Sequence, residues 1–237
     1  MHIVLQKVEV SGMSDRTSTI VRIPSKSILL EGELNIPQGA RGLVIFAHGS
    51  GSSRHSPRNQ SVARTIREGG VGTLLFDLLT QEEEAVDIHT RHLRFDIALL
   101  AERLRDAAIW AKEEPATRDL RLGYFGSSTG AAAALVAAAV LGDEIGAVVS
   151  RGGRPDLAGQ YLPRVTAPTL LIVGSLDEPV IQLNEEAFAK LRCVKEMRII
   201  PGATHLFEEP GTLEQVAQLA TQWFGKYLRQ RAVGVGE

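Results

Sequence analysis

Only one cysteine, Cys193, stands in the 237-residue chain, so no internal disulfide can form, which suits a reducing cytoplasm. Its thiol reads as a small buried hydrophobe rather than a reactive group. No apolar run is long enough to cross a bilayer, and the opening residues, Met1-His2-Ile3-Val4-Leu5, lack the charged-then-apolar order of a secretory signal. Neither sign of charge is in excess. The net charge is -2 and the isoelectric point near 6.3, which gives no argument for nucleic acid or an anionic membrane as a partner. Internal repeats and low-complexity linkers are missing as well. What remains, 44% hydrophobic and 23% charged, is the composition of an ordinary soluble globular protein, expected as a single domain over residues 1–237.

Residues 1–37 are β-leaning: the runs 3–10, 17–23 and 28–36 are broken by Gly, Ser and Pro and suit an antiparallel sheet edge. From Leu43 onward, strands near 43–47, 72–77, 121–125, 146–150, 168–173 and 195–200 alternate with helices near 57–69, 93–113, 130–141, 180–191 and 211–229. Such alternation implies parallel pairing with crossover helices, an α/β fold with helices on both faces of the sheet. Ser56 followed by Pro57 marks a clean helix start. The short stretch between the strands near 146–150 and 168–173 leaves no room for an inserted cap domain. The site is then open, covered at most by a loop over 78–91. Residues 232–237 read as a frayed tail.

Within this frame one pentapeptide stands out, Gly126-Ser127-Ser128-Thr129-Gly130. A short apolar strand precedes it, and a run of Ala, Leu and Val follows. Strand, sharp turn, helix is the setting of a nucleophile elbow with Ser128 at its apex. The motif alone is weak, but two further residues strengthen it. Asp177 follows the strand near 168–173, and His205 follows the strand near 195–200. The order Ser, Asp, His is that of α/β-hydrolases and differs from the orders in two unrelated protease folds.

The chain resembles an α/β-hydrolase of the dienelactone hydrolase-like group over about residues 42–228. The resemblance is carried by Phe46-Ala47-His48-Gly49-Ser50-Gly51, the elbow at 126–130, Gly174 to Asp177, and Gly202 to His205. Dienelactone hydrolases proper place Cys at the elbow. This chain departs from them with Ser128, and the resemblance implies acyl transfer to water rather than a particular lactone.

On this reading the protein is a cofactor-free serine hydrolase of the carboxylic-ester type, cleaving a small ester, thioester or lactone through an acyl-enzyme. Ser128 attacks, His205 moves the proton, and Asp177 fixes the tautomer of His205, with Glu178 as the neighbouring rival for that role. The backbone N–H of Thr129 is one oxyanion donor, and Ser50 or Gly51 supplies the other; losing one such donor typically costs about 2.7–4 kcal/mol. His48 is expected to bridge loops beneath these donors. Hydrolysis should rise with pH as His205 becomes the free base.

Arg151 and Arg154, with Arg54 and Arg58, are candidates for an anionic part of the substrate. His89 and His92, with Asp87, lack metal-site spacing, so no metal is expected. Glu82, Glu83 and Glu84 read as a solvated face. The competing reading is a non-catalytic domain that binds a small anion at Gly49 to Ser53. That stretch lacks the Gly-Lys-Ser/Thr ending of a nucleotide-binding loop, and such a domain gives Asp177 and His205 nothing to do. No oligomeric state follows from the sequence.

Overall fold

The computed structural model describes residues 18–228. The expected strand at 3–10 and the tail at 232–237 lie outside them. Eight strands form one sheet in the order β1-β2-β4-β3-β5-β6-β7-β8. The first two, β1 (Thr19–Ser25) and β2 (Ile28–Asn35), are antiparallel, and β2 pairs antiparallel with β4 (Gly72–Phe76). All remaining pairs, among β3 (Gly42–Ala47), β4, β5 (Arg121–Ser127), β6 (Ile145–Arg151), β7 (Thr169–Gly174) and β8 (Lys195–Ile200), are parallel. Strands β3, β4, β6 and β7 are buried along their whole length, as strands covered on both faces must be. The sheet edge β1 instead alternates exposed and buried residues.

Two hydrophobic cores lie on opposite faces of the sheet. Val62 and Ile66 of α1 (Pro57–Glu68) and Val216 and Trp223 of α6 (Thr212–Tyr227) cover one face. The other face is covered by α3 (Ile97–Glu113), α4 (Thr129–Leu141) and α5 (Glu178–Lys190). Helix α4 has no polar stripe and is buried nearly all round, the pattern of a helix inside a core rather than at its surface. Its alanines let it lie close to the sheet.

The loop expected over 78–91 is largely a helix, α2 (Gln81–Thr90). Thr80 accepts the N–H of Glu83 while the Glu83 carboxylate accepts the N–H of Thr80, a reciprocal cap that starts the helix. Glu83 is therefore half-buried rather than part of a fully solvated face: Arg103 of α3 donates to both of its oxygens, at 2.6 and 2.8 Å. Burial pushes that carboxyl up, and the Arg103 and Thr80 donors overcome it, leaving its pKa below the ordinary value. Asp87 is fully buried and takes N–H groups from Leu93 and Arg94 together with the Arg94 side chain. The helix expected over 93–113 is split, because Asp96 accepts the N–H of Leu99 and caps a new helix at Ile97. Between β6 and β7 the chain forms only a 3-10 segment, Pro155–Arg164, and no cap domain.

Candidate active site

Six strands of this sheet run parallel, and the loops leaving the C-terminal ends of five of them converge. Ser50 follows β3, Ser128 follows β5, Arg151 ends β6, Asp177 follows β7 and His205 follows β8. Strand order reverses at β3, with β4 on one side and β5 on the other, and ligands of open α/β sheets bind at such a switch point.

Ser128 sits at φ 50° and ψ -124°, a region that serine rarely adopts. The turn holds because its surroundings fix it. The Ser128 N–H donates to the Arg151 carbonyl at 3.4 Å, and the Ser128 carbonyl accepts the N–H groups of Ala131 and Arg154 at 3.1 and 3.0 Å. Gly130 lies so close to the end of β3 that a methyl group there would stand 2.3 Å from the Ala47 carbonyl oxygen. Thr129 opens α4, where the first N–H groups of a helix have no partner within it.

His205 Nδ1 lies 2.7 Å from Asp177 Oδ2. A carboxylate can only accept, so Nδ1 carries a proton, and in the neutral ring the free lone pair is on Nε2. The loop bearing His205 is pinned by Glu209, whose carboxylate accepts both the hydroxyl and the N–H of Thr204. Glu178, the rival of Asp177, is exposed in the first turn of α5.

Ser128, His205, Ser50 and Arg151 line one cavity of about 260 Å³. It adjoins a second of about 520 Å³ through Ser50, Ser52, Ser56 and Arg58. Gly51 borders the second cavity and not the first. A more apolar groove of about 430 Å³ between α3 and α4 holds none of these residues.

The four arginines part company. Arg151 is 7% exposed, and its Nε and Nη1 are buried without a hydrogen bond. Burial, joined by the like charge of Arg58, pulls its guanidinium down to about 10, so it stays a cation at neutral pH. Arg58 reaches Glu208 at 2.9 Å. Arg154 does not join them. It pairs with Asp156 at 2.8 and 2.9 Å and is absent from the lining of the Ser128 cavity. Arg54 is likewise taken, by Asp77 and Glu31. Ser52 and Ser56 line the cavity too. The sequence marks Ser56 only as a helix cap and gives no separate sign of Ser52.

His48 is buried, its Nε2 accepting the Leu78 N–H at 3.0 Å and its Nδ1 lying 3.0 Å from the Gly49 carbonyl. An acceptor at Nε2 fixes the neutral tautomer with the proton on Nδ1. The ring thus ties the end of β3 to the loop after β4. Burial lowers its pKa from 6.5, against the pull of the Gly49 carbonyl and of Asp77. The unfolded chain takes up this proton at a higher pH than the folded protein. The contribution of neutral His48 is therefore complete above about pH 6.5 and is lost as the pH falls below it. We expect the thermal midpoint to fall between about pH 7 and about pH 5, and to fall less in His48→Gln. Equal falls in parent and variant would remove His48 from the account.

Among the described residues, no three His, Cys, Asp or Glu side chains converge as metal ligands, and no helix is long and apolar enough to cross a membrane. His92 Nδ1 contacts Thr90 Oγ1 at 2.7 Å, and His89 belongs to α2.

The sheet order, the antiparallel N-terminal strands and the strained turn between β5 and α4 define an α/β-hydrolase fold. The chain belongs to the dienelactone hydrolase family, whose model matches residues 30–228. A crystal structure of a dienelactone hydrolase from Anabaena variabilis is 58% identical, with a TM-score of 0.89, and covers 90% of this chain and 99% of its own. Est1E from Butyrivibrio proteoclasticus shares the fold at 17% identity and a TM-score of 0.72, over 87% of this chain and 98% of its own. Two Mycobacterium tuberculosis proteins, each named "Putative phosphoribosyl transferase", are 55% identical over 208 residues, or 88% of this chain. That match takes in 46% of their length, so the chain spans about half of the curated relatives it matches.

Proposed function

We propose that this chain is a serine hydrolase that cleaves a small ester, thioester or lactone. The observation that carries the reading is the juxtaposition of Ser128, at a strained turn, and His205, held by Asp177, on one small cavity. In the proposed cycle the Ser128 hydroxyl oxygen attacks the substrate carbonyl carbon, and its proton passes to His205 Nε2. The negative oxygen of the tetrahedral intermediate is met by the Thr129 N–H at the start of α4. Ser50 is the better second donor, since it lines the cavity of Ser128 and Gly51 does not. Collapse expels the alcohol or thiol, which takes the proton from His205. Water then repeats the sequence on the acyl-enzyme and frees the acid. Asp177 holds the imidazole in orientation and stabilises its charged form throughout.

Phosphoribosyl transfer is the weaker reading for this chain. The relatives bearing that name are about twice its matched length, whereas the Anabaena dienelactone hydrolase is covered almost end to end. The decisive experiment is labelling with a fluorophosphonate, followed by intact mass and peptide mapping. One adduct per chain, on the peptide containing Ser128, is the expected result. A folded protein that takes no adduct would overturn the proposal.

A further inference from the structure

Helix α2 has no part in the proposed cycle, and it offers the core no apolar stripe, since Val86 and Ile88 are exposed. Two of its carboxylates nevertheless converge on one guanidinium, that of Arg94, in the 3-10 turn Leu93–Phe95. Asp87, fully buried, accepts the Arg94 Nε and the N–H groups of Leu93 and Arg94. Glu84 accepts Nη2 at 3.1 Å, and the Arg94 side chain is only 14% exposed. A planar fork held at two corners is fixed in direction as well as in position.

The remaining corner, Nη1, faces the turn that follows β3. A methyl group on Gly51 would meet Arg94 Nη1 at 3.4 Å and nothing else within 4 Å. At the start of the same turn, a methyl group on Gly49 would stand 3.0 Å from Ser128 Cβ. The turn, closed by the Ser52 N–H donating to the Gly49 carbonyl at 3.2 Å, is thus wedged between the nucleophile and Arg94. Behind it lies a space of about 10 Å³, lined by Arg94, Glu84, His48 and both proposed oxyanion donors, Ser50 and Thr129. That is room for about one water and for no substrate. Arg94 lines neither of the two cavities beside Ser50 that could take a substrate.

We infer that Arg94 is a positioning residue, which braces the Gly49–Ser52 turn from behind and so holds Ser50 at the spacing from the Thr129 N–H that an oxyanion requires. The catalytic half of this statement rests on the hydrolase reading. Helix α2 is then the mount for the brace. The charge of Arg94 is already offset by Glu84 and Asp87, so the brace acts through shape rather than through an electric field. Lysine keeps the charge, but it is a single point on a flexible stem. It cannot answer both carboxylates and still press on the turn.

Arg94→Lys should lower kcat for p-nitrophenyl acetate about 10- to 100-fold, the loss expected when an oxyanion donor is displaced, and leave KM within about threefold. Affinity for trifluoroacetophenone should fall by the same factor as kcat. In its adduct the Ser128 oxygen bonds the ketone carbon, the Ser128 proton passes to His205, and the former carbonyl oxygen becomes an oxyanion in the same hole. A merely structural role would lower the folded fraction and leave the ketone affinity of the folded protein unchanged. Glu84→Gln, on a side chain 38% exposed, is the milder variant. It should show the same pattern at smaller size, and the double variant should lose less than the product of the two. Hydrogen exchange over residues 48–55 should quicken in both single variants. Parent-like kcat and ketone affinity in the two variants, or a loss of kcat with ketone affinity unchanged, would overturn the inference. A parent that takes no fluorophosphonate adduct would overturn the hydrolase reading instead, and quickened exchange over 48–55 would leave the brace standing.

Discussion

Replacing Ser128 with Ala should remove the fluorophosphonate adduct entirely and lower kcat for any accepted ester by about 10⁴- to 10⁶-fold. The size follows from what is lost. Without the Ser128 hydroxyl no acyl-enzyme can form, and His205 and Asp177 have no nucleophile to activate. A residual rate above that in water should survive, because the Thr129 N–H and the cavity still bind the transition state of direct attack by water. His205→Ala should cost a comparable factor, and the double variant should fall little further than either single one. Groups that act as a unit are lost together. Costs that instead multiplied would show that Ser128 and His205 act independently, and the proposed cycle would fail. Thermal unfolding supplies the control. Ala at position 128 must still adopt the same positive φ, so a stability change of more than about 1–2 kcal/mol would point to a disturbed elbow rather than a missing hydroxyl.

The second large effect is expected at Gly130, through packing rather than chemistry. A Cβ there would stand 2.3 Å from the Ala47 carbonyl oxygen and 2.6 Å from that of His48. Both are backbone atoms of the segment leading from β3 into the Gly49-Ser50 loop, so neither can rotate aside. Gly130→Ala must push α4 away from the sheet, carrying Thr129 and Ser128 with it. Overpacking of this kind costs about 3 kcal/mol or more, and in a domain of this size lowers the thermal midpoint by about 6–12 °C. A displacement of even about 1 Å at the reacting groups costs about 100-fold in rate. Gly225 of α6 provides the contrast. A methyl group there meets nothing within 4 Å, so Gly225→Ala should stabilise the helix by about 0.5–1 kcal/mol and leave the kinetics alone. Equal effects of the two substitutions would show that α4 does not need its close approach.

Much of the fold was legible because it depends on local patterns. Buried parallel strands are short apolar runs, and the crossover helices between them are longer ones, so the alternation from Leu43 onward defines a mostly parallel sheet. The start of helix α1 was readable from Ser56 and Pro57. Helix α2 was harder. Its sequence carries a capping pattern in Thr80 and Glu83, but its apolar residues Val86 and Ile88 are exposed and form no core-facing stripe. It is held instead by ion pairs from Arg94 and Arg103, residues outside the helix, and such long-range pairing leaves no periodicity to read.

The sequence by itself determined the order of the candidate residues: a serine, an aspartate and a histidine, each following a strand that parallel pairing must bring to one edge of a sheet. It also determined the backbone of the elbow, since glycines at 126 and 130 admit the close packing that a strand-to-helix turn requires. The tertiary structure alone decided which cations face the cavity. Arg151 and Arg154 are the same residue type three positions apart, and the one local difference, Asp156 two residues after Arg154, does not by itself say which of them is buried. Arg154 is neutralised by Asp156 two residues on and does not line the cavity. Arg151 ends a central strand, where the surrounding structure buries it and no acidic group reaches it. Charge compensation is a property of three-dimensional neighbours, and a sequence does not record them.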